Sequence, residues 1–230
     1  MNFIQKLAMG ALACIGVARA TQINSVQAIR EGVDGAYFNQ ARVAVYSDGS
    51  VTAKAGMKIP AGQFNVNVLG VYTGKPGLNV AVLGDRFGVE GTLTSGKKTG
   101  TIEGTIAGCM GQGTLTSTDD GLSQTARISR AEQHGPITAQ LGASVTRTPD
   151  NAYKVGGDIY VLYNNQIGKV GLSPYVLASL RNDLTGSKVF GVYITPTENK
   201  LSAKPTISNP GSFTDIKDYT FGLELRARLN

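Results

Sequence analysis

The sequence predicts an all-β chain whose strands follow one another as antiparallel hairpins. Three observations predict it. Hydrophobicity alternates with period two through most of the 230 residues, as it does where successive side chains point to opposite faces of a strand. Turn signals separate the alternating runs: "SDGS" at 47–50, "PAG" at 60–62, "GKPG" at 74–77, "TPDN" at 148–151 and "NNQ" at 164–166. The composition is rich in turn formers and poor in charge, with 30 glycines, no tryptophan and 17% charged residues, which disfavours long charged helices.

The chain opens with "MNFIQKLAMGALACIGVARA". Lys6 supplies a basic start, residues 7–18 an apolar run, and Ala18-Arg19-Ala20 a small-residue cleavage site. Residues 1–20 therefore read as a Sec-type signal peptide cleaved after Ala20. The run is shorter than the ~20 residues a membrane-spanning helix needs, and no other window reaches that length. Net charge is +6, falling to +4 when Lys6 and Arg19 leave with the leader. Lys and Arg form no cluster of the kind that tracks a phosphate backbone, so nucleic acid is not an expected partner. Of the two cysteines, Cys14 lies in the leader and Cys109 is left without a disulfide partner.

Residues 21–35, "TQINSVQAIREGVDG", predict a short helical lead-in. Ile23, Val26 and Ile29 fall at helical spacing and Gly32 is a suitable stop. Residues 36–230 form the β domain. In "VTAKAGMKI" Val51, Ala53, Ala55, Met57 and Ile59 oppose Thr52, Lys54 and Lys58. In "QFNVNVLGVY" Phe64, Val66, Val68 and Tyr72 oppose Asn65 and Asn67. "PITAQLGASVT" sets Ile137, Ala139, Leu141 and Val145 against Thr138 and Gln140. "AYKVGGDIYVLY" sets Tyr153, Val155, Ile159, Val161 and Tyr163 against Lys154, Asp158, Tyr160 and Leu162, and "GKVGLSPYVLASL" sets Val170, Leu172, Val176 and Leu180 against Lys169, Ser173 and Tyr175. The segment 78–95 changes parity near "GDRFG" and reads as two strands. "GTLTS", "GTIAG" and "GTLTS" at 91, 104 and 113 read as hairpin strands whose oily face uses glycine and threonine. Residues 196–218, rich in Pro, Ser and Asn, read as a long surface loop.

Alternating strands build either a soluble sandwich or a membrane barrel. The runs are 9–13 residues long, against about 5–6 for soluble strands and ~9–11 for a tilted bilayer crossing. Tyr153 and Tyr163 lie on one face ten residues apart. At ~3.3 Å per residue and ~40° tilt that is about 25 Å along the membrane normal, the height of the apolar band between aromatic girdles. The oily faces are built from Val, Ala, Leu and Gly, lighter than a packed soluble core of this size. A closed barrel also pairs every backbone group and leaves no edge. The expected fold is an antiparallel up-and-down transmembrane β-barrel of about 12 strands, within a range of about 10 to 14, the count being even.

The chain ends "YTFGLELRARLN", its most regular amphipathic stretch. Together with the leader and the strand pattern, this resembles the bacterial outer-membrane β-barrels, whose last strand alternates and is read by the barrel-insertion machinery. The resemblance implies an outer-membrane location, partnership with the lipid bilayer and insertion machinery, and an insertion signal on Tyr219, Phe221, Leu223, Leu225 and Leu229. Leu229 and Asn230 stand where that pattern ends in an aromatic residue.

For a barrel, the polar faces give a lumen lined by Lys54, Lys58, Asn65, Asn67, Glu103, Gln140, Lys154, Asp158, Lys169, Glu224, Arg226 and Arg228. Basic residues outnumber acidic ones six to three in that set, which suits a porin-like passive channel with slight anion preference. The alternative is a non-conducting structural or adhesive barrel, or a secreted β-sandwich adhesin, using the 196–218 loop for contacts. No enzyme is expected: His134 in "AEQHGP", a solvated turn histidine with Glu132 nearby, has no nucleophile motif around it. Lone His134 and Cys109 supply too few ligands for a metal, and "GCMGQG" does not join a strand to a helix, so no cofactor is expected.

Overall fold

The computed structural model describes residues 21–22, 40–106, 108–183, 185–196, 201–212 and 219–228. Residues 1–20 and most of the 21–35 lead-in lie outside them, as does Leu229. Fourteen strands form one antiparallel sheet. They are β1 (Gln40–Tyr46), β2 (Val51–Ala61), β3 (Phe64–Thr73), β4 (Pro76–Leu83), β5 (Phe87–Thr94), β6 (Lys97–Ile106) and β7 (Cys109–Thr118). They continue as β8 (Gly121–His134), β9 (Ile137–Arg147), β10 (Tyr153–Tyr163), β11 (Val170–Arg181), β12 (Thr185–Pro196), β13 (Leu201–Ser212) and β14 (Thr220–Arg228). Each strand pairs with its neighbours in sequence, and β14 pairs with β1 from Gly222↔Tyr46 to Arg228↔Gln40. That seam closes the sheet into an up-and-down barrel. The Ser47 amide also donates to the Phe221 carbonyl at 2.7 Å, and the Phe221 amide to Ser47 Oγ at 3.0 Å.

The count of 14 sits at the upper end of the expected range, two above its centre. One strand of the difference lies in residues 196–218. Residues 196–218 are not one long loop: Leu201–Ser212 is a full strand. Leu201, Ala203, Pro205 and Ile207 share one parity, and Ser202, Lys204, Thr206 and Ser208 the other. Pro205 has no N–H to give, and no ladder pair joins it to β12. Its composition imitates a loop while its period is that of a strand. Thr21–Gln22, at the head of the expected helix, is extended and pairs with Glu132 and Gln133, where β8 runs past β7.

Hairpin ends are tight. Glycines with left-handed backbone stand at most of them, Gly62 (φ 61°) and Gly96 (φ 82°) among them. Asn151 (φ 64°) takes that role between β9 and β10, a conformation its side chain tolerates. Asn165–Ile167 folds back on the start of β11. Lys169 lies in the turn that follows and is on no strand, so it leaves the expected lumen set.

The barrel is apolar outside. Among the described residues thirty large hydrophobic side chains are exposed, and all but Ile167, in the short segment beside β11, share the outward parity fixed by the ladder registers. Tyr153 and Tyr163 are exposed at opposite ends of β10. On β5–β7 the outward positions carry glycine as expected, but the threonines do not join them. Thr92, Thr101, Thr114 and Thr116 line the interior, joined by Thr125 of β8, with Thr101 bonded to Thr114 at 3.1 Å. The buried cluster lies inside the barrel: Met110, Ala131, Tyr160, Leu162 and Tyr175, flanked by Leu177, Val189 and Tyr193.

Candidate functional site

The lumen is the site, and alternation builds it. Each strand sends every second side chain inward, so neighbouring registers stack inward residues into rows. Arg42 pairs across β1 and β2 with Lys54, and across the β14 seam with Arg226. Lys204 of β13 stands opposite Glu224. Arg42, Lys54, Lys204 and Arg226 thus form a basic wall over four adjacent strands, with Glu224 as the one acidic residue in its rows.

Aromatic rings hold part of this wall. Tyr160, Tyr175 and Tyr193 form a ladder across β10–β12, with ring centroids 5.9 and 5.0 Å apart. The Lys204 ammonium sits over Tyr175 at 4.8 Å and Tyr193 at 5.0 Å, and the Arg226 guanidinium over Tyr193 at 4.9 Å. Such cation–π contacts fix long basic side chains without neutralising them. Arg226 is 4% exposed and also donates to Glu224. Gly191 makes room for the ladder: a Cβ there would lie 2.5 Å from the Tyr175 ring.

A second network ties β8, β9 and β10. Arg127 makes two bonds to Asp158, at 2.7 and 3.2 Å, passing over Gly142. Its other nitrogen donates to Ser129, which also accepts from Gln140 at 3.1 Å. On β4–β7 Asn79 donates to Glu90 at 2.5 Å and Gln112 to Glu103 at 3.3 Å.

The expected lumen residues are therefore placed as follows. Lys54, Lys58, Asn65, Asn67, Glu103, Gln140, Asp158, Glu224 and Arg226 face inward on their strands. Lys154 also has inward parity but lies at a mouth, paired with Asp183 of the β11–β12 turn at 3.0 Å. Arg228 shares the inward parity of β14. Tyr219, Phe221, Leu223 and Leu225 are exposed on the outward face. Arg42, Lys204 and the tyrosine ladder were missed. "QARVAVY" alternates and shows Arg42, while Lys204 was hidden by the loop-like composition around it. His134 is the last residue of β8, with side chain 27% exposed and Nε2 3.6 Å from a Glu132 oxygen. Glu132 also pairs with Arg130, and by parity all three stand on the outer face. Among the described residues no three groups converge to hold a metal.

Three turns at the mouth away from the barrel's termini hold carboxylates below their ordinary range. The Asp183 carboxyl is held down by Thr185 and the Lys154 ammonium, Asp48 by the Ser50 hydroxyl and amide, and Asp150 by Thr148 and the Ala152 amide.

No family model and no curated protein matches the chain. Solved structures do. The outer membrane protein Omp33 of Acinetobacter baumannii superposes with a TM-score of 0.51 at 11% identity, covering 83% of this chain and 96% of that one. This chain has the fold of a bacterial outer-membrane β-barrel. Two porins superpose less closely. The NanC porin has a TM-score of 0.47 at 7% identity over 83% of this chain and 99% of its own, and a porin refined at 1.8 Å has 0.44 at 8% over 82% and 97%. The outer-membrane fold accounts for the apolar exterior, because a water-soluble protein would not expose a continuous band of this kind.

Proposed function

We propose that the barrel is a porin-like passive channel for small solutes with a slight anion preference, reached after export and cleavage behind Ala20. One observation carries the reading: the charge on the inward face. Arg42, Lys54, Lys58, Lys97, Arg127, Lys154, Arg181, Lys204, Arg226 and Arg228 are inward by register, against Glu90, Glu103, Asp158 and Glu224, ten basic to four acidic among the described residues. An excess of fixed positive charge in a low-dielectric wall raises the local concentration of anions. The reading contains no catalytic step. The outward residues Tyr219 to Leu225 would serve the insertion machinery on the way to the membrane.

A second reading, a non-conducting structural barrel, is favoured by the buried lumenal cluster around Tyr160, Leu162 and Tyr175, which narrows the interior. Fourteen strands lie between barrels filled by side chains and those with an open channel. Planar-bilayer recordings under a salt gradient separate the two. The channel reading expects a reversal potential of anionic sign, moved toward cation preference by Lys54→Glu with Lys204→Glu. Folded protein without current supports the structural reading, and an unmoved potential removes the basic wall from the explanation.

A further inference from the structure

Among the described residues the outward positions of the barrel carry one buried acid. Glu132 of β8 has outward parity and is 1% exposed. It lies one outward position in from His134, which shares a ladder row with Ile137 and Tyr163 at the barrel's rim. A carboxylate enclosed there needs donors for both of its oxygens. Arg130 supplies one, to Oε1. Oε2 turns the other way along the strand, toward His134, whose Nε2 is 3.6 Å away and beyond hydrogen-bond reach. Among the described residues Oε2 is buried and accepts no hydrogen bond. The site is one donor short.

A second, independent observation lies beside it. The ladder between β7 and β8 begins at Cys109↔Arg130, so residues 131–134 of β8 run past β7. Thr21–Gln22 takes the free edge there, with Gln22 opposite Glu132 and Thr21 opposite Gln133. The pairing is antiparallel, so the Thr21 nitrogen lies on the His134 side of that pair, the side to which Oε2 turns. The sequence marks the same nitrogen. The expected cleavage behind Ala18-Arg19-Ala20 frees it. A neutral amide with one proton becomes an ammonium with three, largely charged at neutral pH because an α-amino group titrates at about 7.7–8.0.

We propose that the outer rim of β8 is a binding site for the mature amino terminus: once the leader is cut, the Thr21 α-ammonium pairs with Glu132 Oε2. The ligand is a primary ammonium at a chain end, presented by a short strand on the β8 edge. Arg130 and the ammonium then share the carboxylate, and each oxygen has a donor. A two-residue ladder leaves a chain end free to fray, and a charge-assisted bond ties it down. The uncut chain lacks the charge, so the pair forms only after processing. The proposal rests on cleavage behind Ala20 and is independent of conduction.

The test uses protein made from the full-length chain, extracted from outer membranes and shown to be folded by heat-modifiable gel migration. Intact mass gives the first residue. Any residue other than Thr21 overturns the cleavage reading and the proposal with it. With Thr21 first, the folded protein is treated with an acylating reagent that attacks only the neutral amine, and the rate at Thr21 is followed by peptide mass spectrometry with lysine sites as the internal reference. Thr21 should react about tenfold more slowly than in folded Glu132→Gln protein. Equal rates overturn the proposal and leave the cleavage reading standing. Glu132→Asp keeps the charge, withdraws the oxygens by one methylene and serves where the glutamine variant does not fold. It should also raise the rate, and an aspartate variant as slow as the unaltered protein overturns the proposal.

Discussion

Leu225→Arg should unfold the barrel more readily than almost any other single charge. Leu225 is 54% exposed on the outward face of β14 and pairs there with Val43 and Ala203. β14 runs from Thr220 to Arg228, so Leu225 is one residue from the strand's midpoint. At ~3.3 Å per residue and ~40° tilt, that is about 2.5 Å from the middle of the apolar band. An arginine at that depth costs about 2–4 kcal/mol, roughly 30- to 700-fold in the folding equilibrium. The comparison is Thr116→Arg, which puts the same charge on the threonine wall of the lumen. There the change should stay within about 0.5 kcal/mol. Urea unfolding in lipid vesicles, read by heat-modifiable gel migration, measures both. If Thr116→Arg is the costlier, or Leu225→Arg is neutral, the assignment of faces is inverted and the lipid-facing exterior fails with it.

Arg226→Leu should also destabilise, by about 1–3 kcal/mol in the same assay, because it leaves Glu224 without its partner in a largely enclosed site. Gly191→Ala should cost about 1–3 kcal/mol by driving the Tyr175 ring out of its place, and near-ultraviolet circular dichroism should show the tyrosine ladder disturbed. The turns at Asp48, Asp150 and Asp183 should be indifferent to pH from 8 to 5. Their carboxyls are held down in the folded state, so the stabilisation is present above the ordinary aspartate value of about 3.9 and is lost as pH falls through the lower folded value. Protection of the Ser50, Ala152 and Thr185 amides, measured relative to the intrinsic exchange rate at each pH, should therefore fall only under strongly acidic conditions, and Asp183→Asn should remove that dependence at Thr185.

Much of the barrel was legible because alternation is a direct image of its two solvents. The outward line from Tyr219 to Leu225 and the inward pair Glu224 and Arg226 stand in the sequence as they stand in the structure. The parity change at "GDRFG" marked the turn between β4 and β5. What composition obscured was β13, where Pro205 and Pro210 suggest a loop although "LSAKPTIS" alternates. That one misreading removed a strand and Lys204 from the lumen. The tyrosine ladder could be read only by parity: Tyr160 and Tyr175 oppose the oily positions of their strands, yet an aromatic residue on a nominally polar face gives no sign of which partner it meets. The Tyr175–Tyr193 contact depends on the register of β11 with β12, set by the β11–β12 turn and not by either strand alone.

The most direct measurement of the functional account is single-channel recording from the purified, folded full chain in a planar lipid bilayer. The basic inner wall predicts stepwise currents that favour anions. Current favouring cations, or none from protein whose heat-modifiable migration shows a closed barrel, would contradict it.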